Sequence, residues 1–306
     1  MRALVTGGAG YVGTELATSL SLRKDVDEVV VYDNLSRSNY NLFLGDSLIN
    51  KDKVTFIKGD ILDSRRLRKA IEGIDVVYHL AAKVTTPFAD QGPHAFEQVN
   101  HWGTAEVVNA IEKSNVSAAF FTSSASVYGA TTEEVDEFQG VNPHTFYGIS
   151  KANGESHFAR LFEKIQCITI RCGNIYGYSR SMRFDSVINK FAFQANFTGR
   201  ISINGDGSQV RSFVHIDSVS DVLSNLPSSG FSSGIFNLIE ETYSVNDIVN
   251  ALETVYPNLE RIYINQDIKL RQLRVRPNSN LNTLIDRENP RDLSDALSEF
   301  STRFSF

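Results

Sequence analysis

A glycine-rich turn near the start of the chain constrains the fold more than any other feature. The apolar run Ala3–Thr6, a predicted strand, leads into Gly7-Gly8-Ala9-Gly10-Tyr11-Val12-Gly13, and a helical pattern follows. Glycines at this spacing allow a tight turn, a close approach of the backbone to a pyrophosphate, and close packing of the next helix on the strand. The helix N-terminus then offers free N–H groups to phosphates. The pattern therefore indicates a dinucleotide-binding unit rather than a simple surface turn.

A carboxylate at the end of the next strand favours one dinucleotide over the other. Asp33 ends the predicted strand Val29–Asp33 and follows Gly13 by 20 residues. A carboxylate there accepts hydrogen bonds from both ribose hydroxyls and repels a 2′-phosphate, so the sequence favours NAD over NADP. Arg37 keeps the alternative open, because it is close enough in sequence to meet a 2′-phosphate.

The first half of the chain alternates short apolar runs with helical patterns. Little alternation within the runs is typical of strands buried on both faces. The predicted strands are Ala3–Thr6, Val29–Asp33, Val54–Lys58, Val76–Leu80, Ala118–Thr122 and Cys167–Arg171. The predicted helices are Val12–Leu22, Ser64–Ile71, Ala95–Lys113 and Tyr147–Phe162. This order predicts an α/β fold, a doubly wound parallel sheet of the Rossmann type.

After about Asn174 the regular alternation of apolar runs and helical patterns ends, and glycine, serine and asparagine become frequent. Helical patterns return at Arg183–Phe197, Asp217–Leu226, Ser244–Val255 and Arg291–Phe300. We expect residues 1–173 to form the cofactor domain, with about 210–240 returning to it. Residues 174–306 would mainly form a smaller, interleaved substrate lobe.

Composition excludes several classes of function. The 30 Lys and Arg against 36 Asp and Glu give a formal charge of −6, so nothing suggests nucleic-acid binding. The 2 Cys rule out a disulfide framework and a Cys-rich zinc site, and we expect no metal. No apolar run approaches the roughly 18 residues of a membrane span, and the first residues lack a signal-peptide pattern. A cytoplasmic protein without a membrane partner is the expectation.

Three polar side chains suggest the chemistry. Tyr147 and Lys151 are four positions apart on a predicted helix, so they lie on one face, one turn apart. A nearby ammonium favours the phenolate, so we expect Lys151 to lower the pKa of Tyr147 toward neutrality. Ser124 follows the strand Ala118–Thr122, at the sheet edge where open α/β sheets bind ligands, and could bond the same substrate oxygen. Each signal alone also fits an ordinary surface residue.

Taken in order, the motifs resemble those of the extended short-chain dehydrogenases/reductases, in particular the NAD-dependent nucleotide-sugar epimerase/dehydratase family. The resemblance spans most of the chain. The matching segments are Thr6–Gly13, Asp33-Asn34-Leu35, Gly59-Asp60-Ile61, His79-Leu80-Ala81-Ala82, Asn100, Ser123–Gly129, Tyr147-Gly148-Ile149-Ser150-Lys151, Arg171–Gly177 and Gly205–His215.

The resemblance implies a role for each matching position. Ser124, Tyr147 and Lys151 would be catalytic. The cofactor NAD would be bound by Gly7, Gly10, Tyr11, Val12, Gly13, Asp33, Asn34, Asp60, Ile61, Leu80, Ala81, Ala82, Asn100, Ser123, Tyr147 and Lys151. The substrate, a nucleotide-sugar with a UDP-sugar favoured, would be bound by Thr85, Ser124, Ser126, Tyr147, Asn174, Arg211 and Arg276. Arg276 lies in Arg-Pro-Asn-Ser where the family often has Arg-Pro-Gly-Asp, so the base of the nucleotide stays open.

The residues after Ser124 favour one reaction within the family. Related 4,6-dehydratases carry an Asp-Glu pair there, and this chain has Ala125 and Ser126. The resemblance therefore implies an epimerase that acts at C4 of the sugar. Three alternatives stay open: a reductase that exchanges its cofactor, a dehydratase that uses Glu133 or Glu134, and a cofactor sensor without turnover.

A homodimer is also expected. The helical patterns Ala95–Lys113 and Tyr147–Phe162 carry apolar residues on more than one face, Trp102 among them, and surplus apolar surface suggests a partner. Family members pair these two helices in a dimer. The alternative is that the chain covers both helices itself.

Overall fold

Seven parallel strands form the central sheet of the computed structural model, which describes residues 1–44, 48–84, 92–265, 272–285 and 291–304. The strands are β1 Arg2–Thr6, β2 Glu28–Asp33, β3 Val54–Lys58, β4 Val76–His79, β5 Ala118–Ser124, β6 Glu134–Val135, β7 Gln166–Cys172, β8 Asn174–Tyr176, β9 Arg200–Asn204, β10 Val210–His215, β11 Gly234–Leu238, β12 Glu241–Ser244, β13 Glu260–Ile264 and β14 Arg274–Val275. The central sheet runs β11-β7-β5-β4-β1-β2-β3. The predicted doubly wound, Rossmann-like α/β fold is confirmed.

Ten α-helices are described, most of them between strands. They are α1 Tyr11–Leu22, α2 Ser64–Ile71, α3 Pro93–Phe96, α4 Gly103–Glu112, α5 Phe146–Phe158, α6 Val187–Thr198, α7 Ile216–Asn225, α8 Val245–Val255, α9 Ser279–Asn282 and α10 Leu293–Ser301. A wide π-type turn, Glu97–Trp102, joins α3 to α4. Among the described residues no helix has the length and apolar character needed to span a membrane.

Both faces of the central sheet are covered, which explains why its strands read as continuous apolar runs. On one face α1 and α7 pack through side chains such as Leu16 and Val222. On the other face α2, α4 and α5 contribute Leu67, Val107 and Phe158. The carboxyl ends of the strands remain at one edge, where the polar residues of the next subsection lie.

A third apolar cluster belongs to the second half of the chain and joins α6, α8 and α10 to β9 and β10. Here the sheets are small: β12-β10-β8 has three strands, and β13-β9 and β14-β6 have two each. Strand β11 follows β10 and α7 in sequence but pairs with β7 in the central sheet. The two parts of the chain are thus interleaved.

Several predicted helices have different ends in the structure; α5, for example, ends at Phe158 rather than Phe162, and two helices differ further. The helix predicted over Arg183–Phe197 begins only at Val187, because Ser186 is extended (φ −81°, ψ 144°) and Arg183 forms a fork with Asp185. The helix predicted over Ala95–Lys113 is interrupted by the π-type turn. That turn widens the backbone beside Asn100, and π-type turns are frequent at functional sites.

Candidate functional site

The glycine-rich turn forms a cradle between β1 and α1. Gly7 has a positive φ of 71°, and a Cβ there would lie 2.6 Å from the backbone N of Ala81. A Cβ on Gly13 would lie 2.3 Å from the carbonyl O of Gly7. Helix α1 begins at Tyr11 with Gly10 as its cap and no side-chain cap. Its first N–H groups are therefore free to meet a phosphate, so the cradle fits a dinucleotide.

Asp33 lies beside this cradle. Its Oδ2 accepts a hydrogen bond from the N–H of Ala9 (3.1 Å), and its Oδ1 accepts one from the N–H of Leu35 (2.7 Å). These bonds fix the carboxylate at the end of β2, where a ribose would lie. The guanidinium of Arg37 is instead 3.7 Å from Asp185 of the second half of the chain. The arrangement thus favours NAD over NADP, as predicted from the position of Asp33.

Three of the expected NAD contacts, Asn34, Asp60 and Ile61, follow the ends of β2 and β3. The Asn34 amide donates to Asp60 Oδ2 (2.9 Å), and Asp60 Oδ1 accepts from the N–H of Leu62 (2.9 Å). Ile61 between them is buried. The structure therefore brings these residues together on the same side of the sheet as Asp33.

After β4 the chain passes directly over the glycine-rich turn. Leu80 and Ala82 flank Ala81, whose N–H points to the hydroxyl of Thr6 (3.4 Å). Asn100 holds the segment that follows, since its amide accepts from the N–H of Lys83 (2.7 Å) and donates to the carbonyl of Lys83 (2.9 Å). Thr85, the expected sugar contact, lies outside the described residues.

Helix α5 presents the catalytic candidates at the carboxyl end of β5. Its cap Thr145 accepts a hydrogen bond from the N–H of Gly148 (3.0 Å), which fixes the first turn. Ser124 interacts with the phenol of Tyr147 and lowers its pKa, and the Ser124 hydroxyl donates to Ser126 (3.1 Å). The predicted Ser–Tyr pair is thus assembled, with Ser126 beside it.

Lys151 occupies a different position from the one expected. Its ammonium donates to the carbonyl of Thr122 (2.7 Å) and lies 4.7 Å from the ring centroid of Phe121. Burial lowers the pKa of Lys151 to about 8. Burial also raises the pKa of Tyr147, while its bond to Ser124 pulls the pKa down.

The predicted effect of Lys151 on Tyr147 is therefore wrong for this structure. The ammonium of Lys151 contacts the Thr122 carbonyl and the Phe121 ring. The cation that lowers the pKa of Tyr147 is instead Arg183. Sequence spacing places two side chains on one helix face, but it does not determine which group of the neighbouring sheet the lysine ammonium contacts. Arg183 follows Tyr147 by 36 residues in sequence, and we predicted it only as the start of a helix.

Ser123, expected at the cofactor, points into the protein. Its hydroxyl donates to Glu155 (2.5 Å). Glu155 also accepts two bonds from Arg171 (3.0 and 2.7 Å), and both charged residues are buried. Sequence reasoning missed this cluster, although Glu155 continues the four-residue spacing of Tyr147 and Lys151 on α5 and was thus detectable.

The expected substrate residues lie in the second half of the chain. Asn174 is exposed at the start of β8 and donates to the carbonyl of Ser212 (3.2 Å). The guanidinium of Arg211 on β10 bonds the carbonyl of Val210 (2.8 Å). Arg276 is 60% exposed and pairs with Glu134 (2.9 Å) and Asp136 (3.4 Å). Arg276 therefore forms ion pairs with two carboxylates, and we did not predict these pairs from the sequence.

A loop after β8 connects the cofactor cradle to the second half of the chain. The hydroxyl of Tyr11 donates to the carbonyl of Gly177 (2.6 Å), and Thr14 donates to Ser181 (2.7 Å). With the Arg37–Asp185 pair, these bonds form what we term the clasp. The clasp fastens the loop to both the glycine-rich turn and the segment after β2.

Fold and site together define a class: a Rossmann-type protein with the Ser-Tyr-Lys set of the short-chain dehydrogenases/reductases. The model of the NAD dependent epimerase/dehydratase family matches residues 3–238, and the chain belongs to this family. NAD is accordingly its cofactor, and the cradle fits it.

Relatives with different reactions resemble the chain about equally. It is 32% identical over 229 residues to the UDP-glucose 4-epimerase of Mycolicibacterium smegmatis (72% of this chain, 71% of that protein). It is 30% identical over 244 residues to the mouse dTDP-D-glucose 4,6-dehydratase (78% and 67%). The Bacillus cereus UDP-glucuronic acid 4-epimerase, solved with UDP-glucuronic acid and NAD, superposes with a TM-score of 0.83 at 26% identity, covering 99% and 98% of the two chains. The protein is thus an enzyme of the nucleotide-sugar epimerase/dehydratase type.

Proposed function

We propose that the protein is an NAD-dependent nucleotide-sugar 4-epimerase with a UDP-sugar as substrate. The observation that carries this proposal is the composition of the turn that follows β5. Ser124, the last residue of β5, interacts with the Tyr147 phenol, while Ala125 and Ser126 of the turn offer no carboxylate for the elimination of water. Hydroxyl groups suffice for an oxidation and reduction at one carbon, whereas a dehydration needs a further acid and base.

Proton handling falls to the residues at the end of β5. Tyr147 accepts the proton of the sugar C4 hydroxyl, and Ser124 bonds the same oxygen. Bound NAD supplies the chemistry of hydride acceptance and return. Burial raises the pKa of Tyr147, whereas Ser124 and Arg183 lower it, so these two residues favour the phenolate. The sugar then rotates as a 4-ketone, and Tyr147 returns the proton after the opposite face is reduced.

Binding is assigned by position. We place the NAD pyrophosphate at the N-terminus of α1 and its adenosine ribose at Asp33. The substrate diphosphate would lie between Asn174 and Arg211, on the two neighbouring strands β8 and β10. Contact of Arg276 with the substrate requires that a phosphate displace Glu134 and Asp136 from it.

A 4,6-dehydratase is the second candidate, because the mouse relative has that activity. The alternative carboxylate Glu134 pairs with the exposed Arg276 on the two-stranded β6–β14 ribbon. Engagement in that ion pair argues against a role for Glu134 in elimination. The epimerase is therefore the favoured reaction.

A homodimer through α4 and α5 is also proposed. Trp102 beside α4 is 57% exposed, and Phe146 and Ile149 on α5 are 43% and 40% exposed. These exposed apolar side chains support a partner at the two helices. A cytoplasmic location remains a prediction.

The test is a product analysis with purified protein, NAD and a panel of UDP- and dTDP-sugars. An epimerase yields a product of unchanged mass with an inverted C4, which NMR detects. A dehydratase yields a product lighter by one water, and a reductase changes the absorbance of free NADH. We expect Tyr147→Phe to lower kcat by about 10²–10⁴-fold. The control is Tyr256→Phe, whose hydroxyl bonds Asn196 in the second half of the chain. The absence of any epimer from the wild type would refute the proposal.

A further inference from the structure

A charged cluster lies in the interior directly behind the catalytic residues. Glu155 and Arg171 are only 5% and 4% exposed. The carboxylate of Glu155 accepts two bonds from Arg171 and one from Ser123, so one side chain of α5 is tied to both β5 and β7. A buried ion pair is weak support for stability, because an apolar pair of similar volume often stabilises a fold as well or better.

The register of the sheet shows what the cluster sits beside. Ser123 pairs with Arg171 across β5 and β7, and Ser124 pairs with Cys172. Ser123 on β5 and Arg171 on β7 both bond Glu155. Each of them therefore comes immediately before one member of the Ser124–Cys172 pair. Any shift of α5 relative to these strands moves the phenol away from Ser124.

The same carboxylate completes one face of α5. Tyr147, Lys151 and Glu155 are spaced by four residues, so Glu155 lies one turn beyond the lysine. The groups that face Lys151 are Glu155 on its own helix, Cys172 on β7 and His79 on β4, with the Phe121 ring and the Thr122 carbonyl on β5. Glu155 is the anionic carboxylate of this set.

We propose that Glu155 is a positioning residue for the Tyr147–Lys151 pair. Its three bonds fix the register of α5 on β5 and β7, and its charge favours the protonated form of Lys151. Arg171 serves this function by holding the carboxylate in place. The inference rests on the proposed function for its kinetic readout only.

The first variant is Glu155→Gln, which removes the charge and keeps the shape. We expect kcat to fall by about 10- to 100-fold, since misplacement of a reacting group by 1 Å costs about that much. KM should stay near the wild-type value, because Glu155 lies behind the site. Glu112→Gln is the control, since Glu112 pairs with Arg160 at the surface.

Loss of one partner leaves a buried charge and can unfold the protein, so a second variant is needed. Glu155→Leu combined with Arg171→Met removes both charges and restores an apolar interior. We expect this double variant to melt near the wild-type Tm and still show the reduced kcat. Wild-type kcat in a stably folded double variant would overturn the proposal.

A readout without turnover separates this inference from the proposed function. The unfolding free energy of the NAD-free wild type rises with pH where Lys151 titrates. In Glu155→Gln that rise should begin at lower pH. If the wild type makes no epimer but this shift is seen, the proposed function fails and the assignment of Glu155 stands. If the shift is absent and kcat is unchanged, the assignment of Glu155 fails.

Discussion

Gly13→Ala tests whether the cradle depends on the contact between α1 and the turn. A Cβ at this position would lie 2.3 Å from the carbonyl O of Gly7 and 2.6 Å from the Cα of Gly8. Ordinary contact begins near 3.4 Å, so α1 must retreat by about 1.1 Å (3.4 − 2.3). The obstructing atoms are all backbone, so no side chain can move aside to relieve the overlap.

The cost follows from that displacement. Overpacking of this kind costs about 1–3 kcal/mol, which lowers Tm by roughly 2–5 °C in a chain of this size. Each charge-assisted hydrogen bond that the phosphates lose at the N-terminus of α1 is worth about 1.5–3 kcal/mol. At about 1.4 kcal/mol per factor of ten, NAD affinity should fall by roughly 10- to 150-fold.

The assay measures NAD released from denatured protein, together with the melting temperature. Gly140→Ala is the matched control, because a Cβ at Gly140 would meet nothing within 4 Å. We expect Gly140→Ala to match the wild type in both measurements. A Gly13→Ala protein with the NAD content and Tm of that control would refute the reasoning, since it would mean that α1 can shift without disturbing the cradle.

Three further predictions follow from the site. The folded pKa of Lys151, about 8, lies below its ordinary value of 10.5, so the folded NAD-free chain binds fewer protons between these values. Its unfolding free energy should therefore rise through this window by up to ~3 kcal/mol relative to Lys151→Met, which denaturant titrations at several pH values would show; equal slopes would contradict it. Asp185→Asn should release NAD faster than the wild type because it weakens the clasp to Arg37, and dilution kinetics would reveal unchanged release if the clasp is irrelevant. Trp102→Glu should convert the proposed dimer to a monomer in sedimentation experiments, whereas an unchanged dimer mass would place the interface elsewhere.

Much of the fold could be predicted from the sequence because its signals are local. The glycine-rich turn and the six apolar runs depend on neighbouring residues, and all six runs are strands of the central sheet. Strand β11, Gly234–Leu238, lacked such a signal, and its place beside β7 depends on the folding of the whole chain.

The site shows the same limit. The four-residue spacing placed Tyr147 and Lys151 on one helix face, and the end of β5 brought Ser124 to the phenol. The ammonium of Lys151 bonds a carbonyl 29 residues away, and Arg276 pairs with a carboxylate 142 residues away. Which group a side chain contacts over such sequence separations depends on burial and on competing charges. The spacing of residues in the sequence does not determine either of these.

The place of β11 has a consequence for how the chain can be made and divided. Strand β7 has its outer partner only when β11 arrives, more than sixty residues later in the chain. During synthesis that edge of the sheet stays open and prone to pair with other chains until Leu238 has left the ribosome. A fragment cut after β7 would carry the same open edge, so a cofactor-binding piece excised at that point should aggregate. If the chain is divided after β7 and the two parts are expressed together, they should fold only when the second part contains β11 and pairs it with β7.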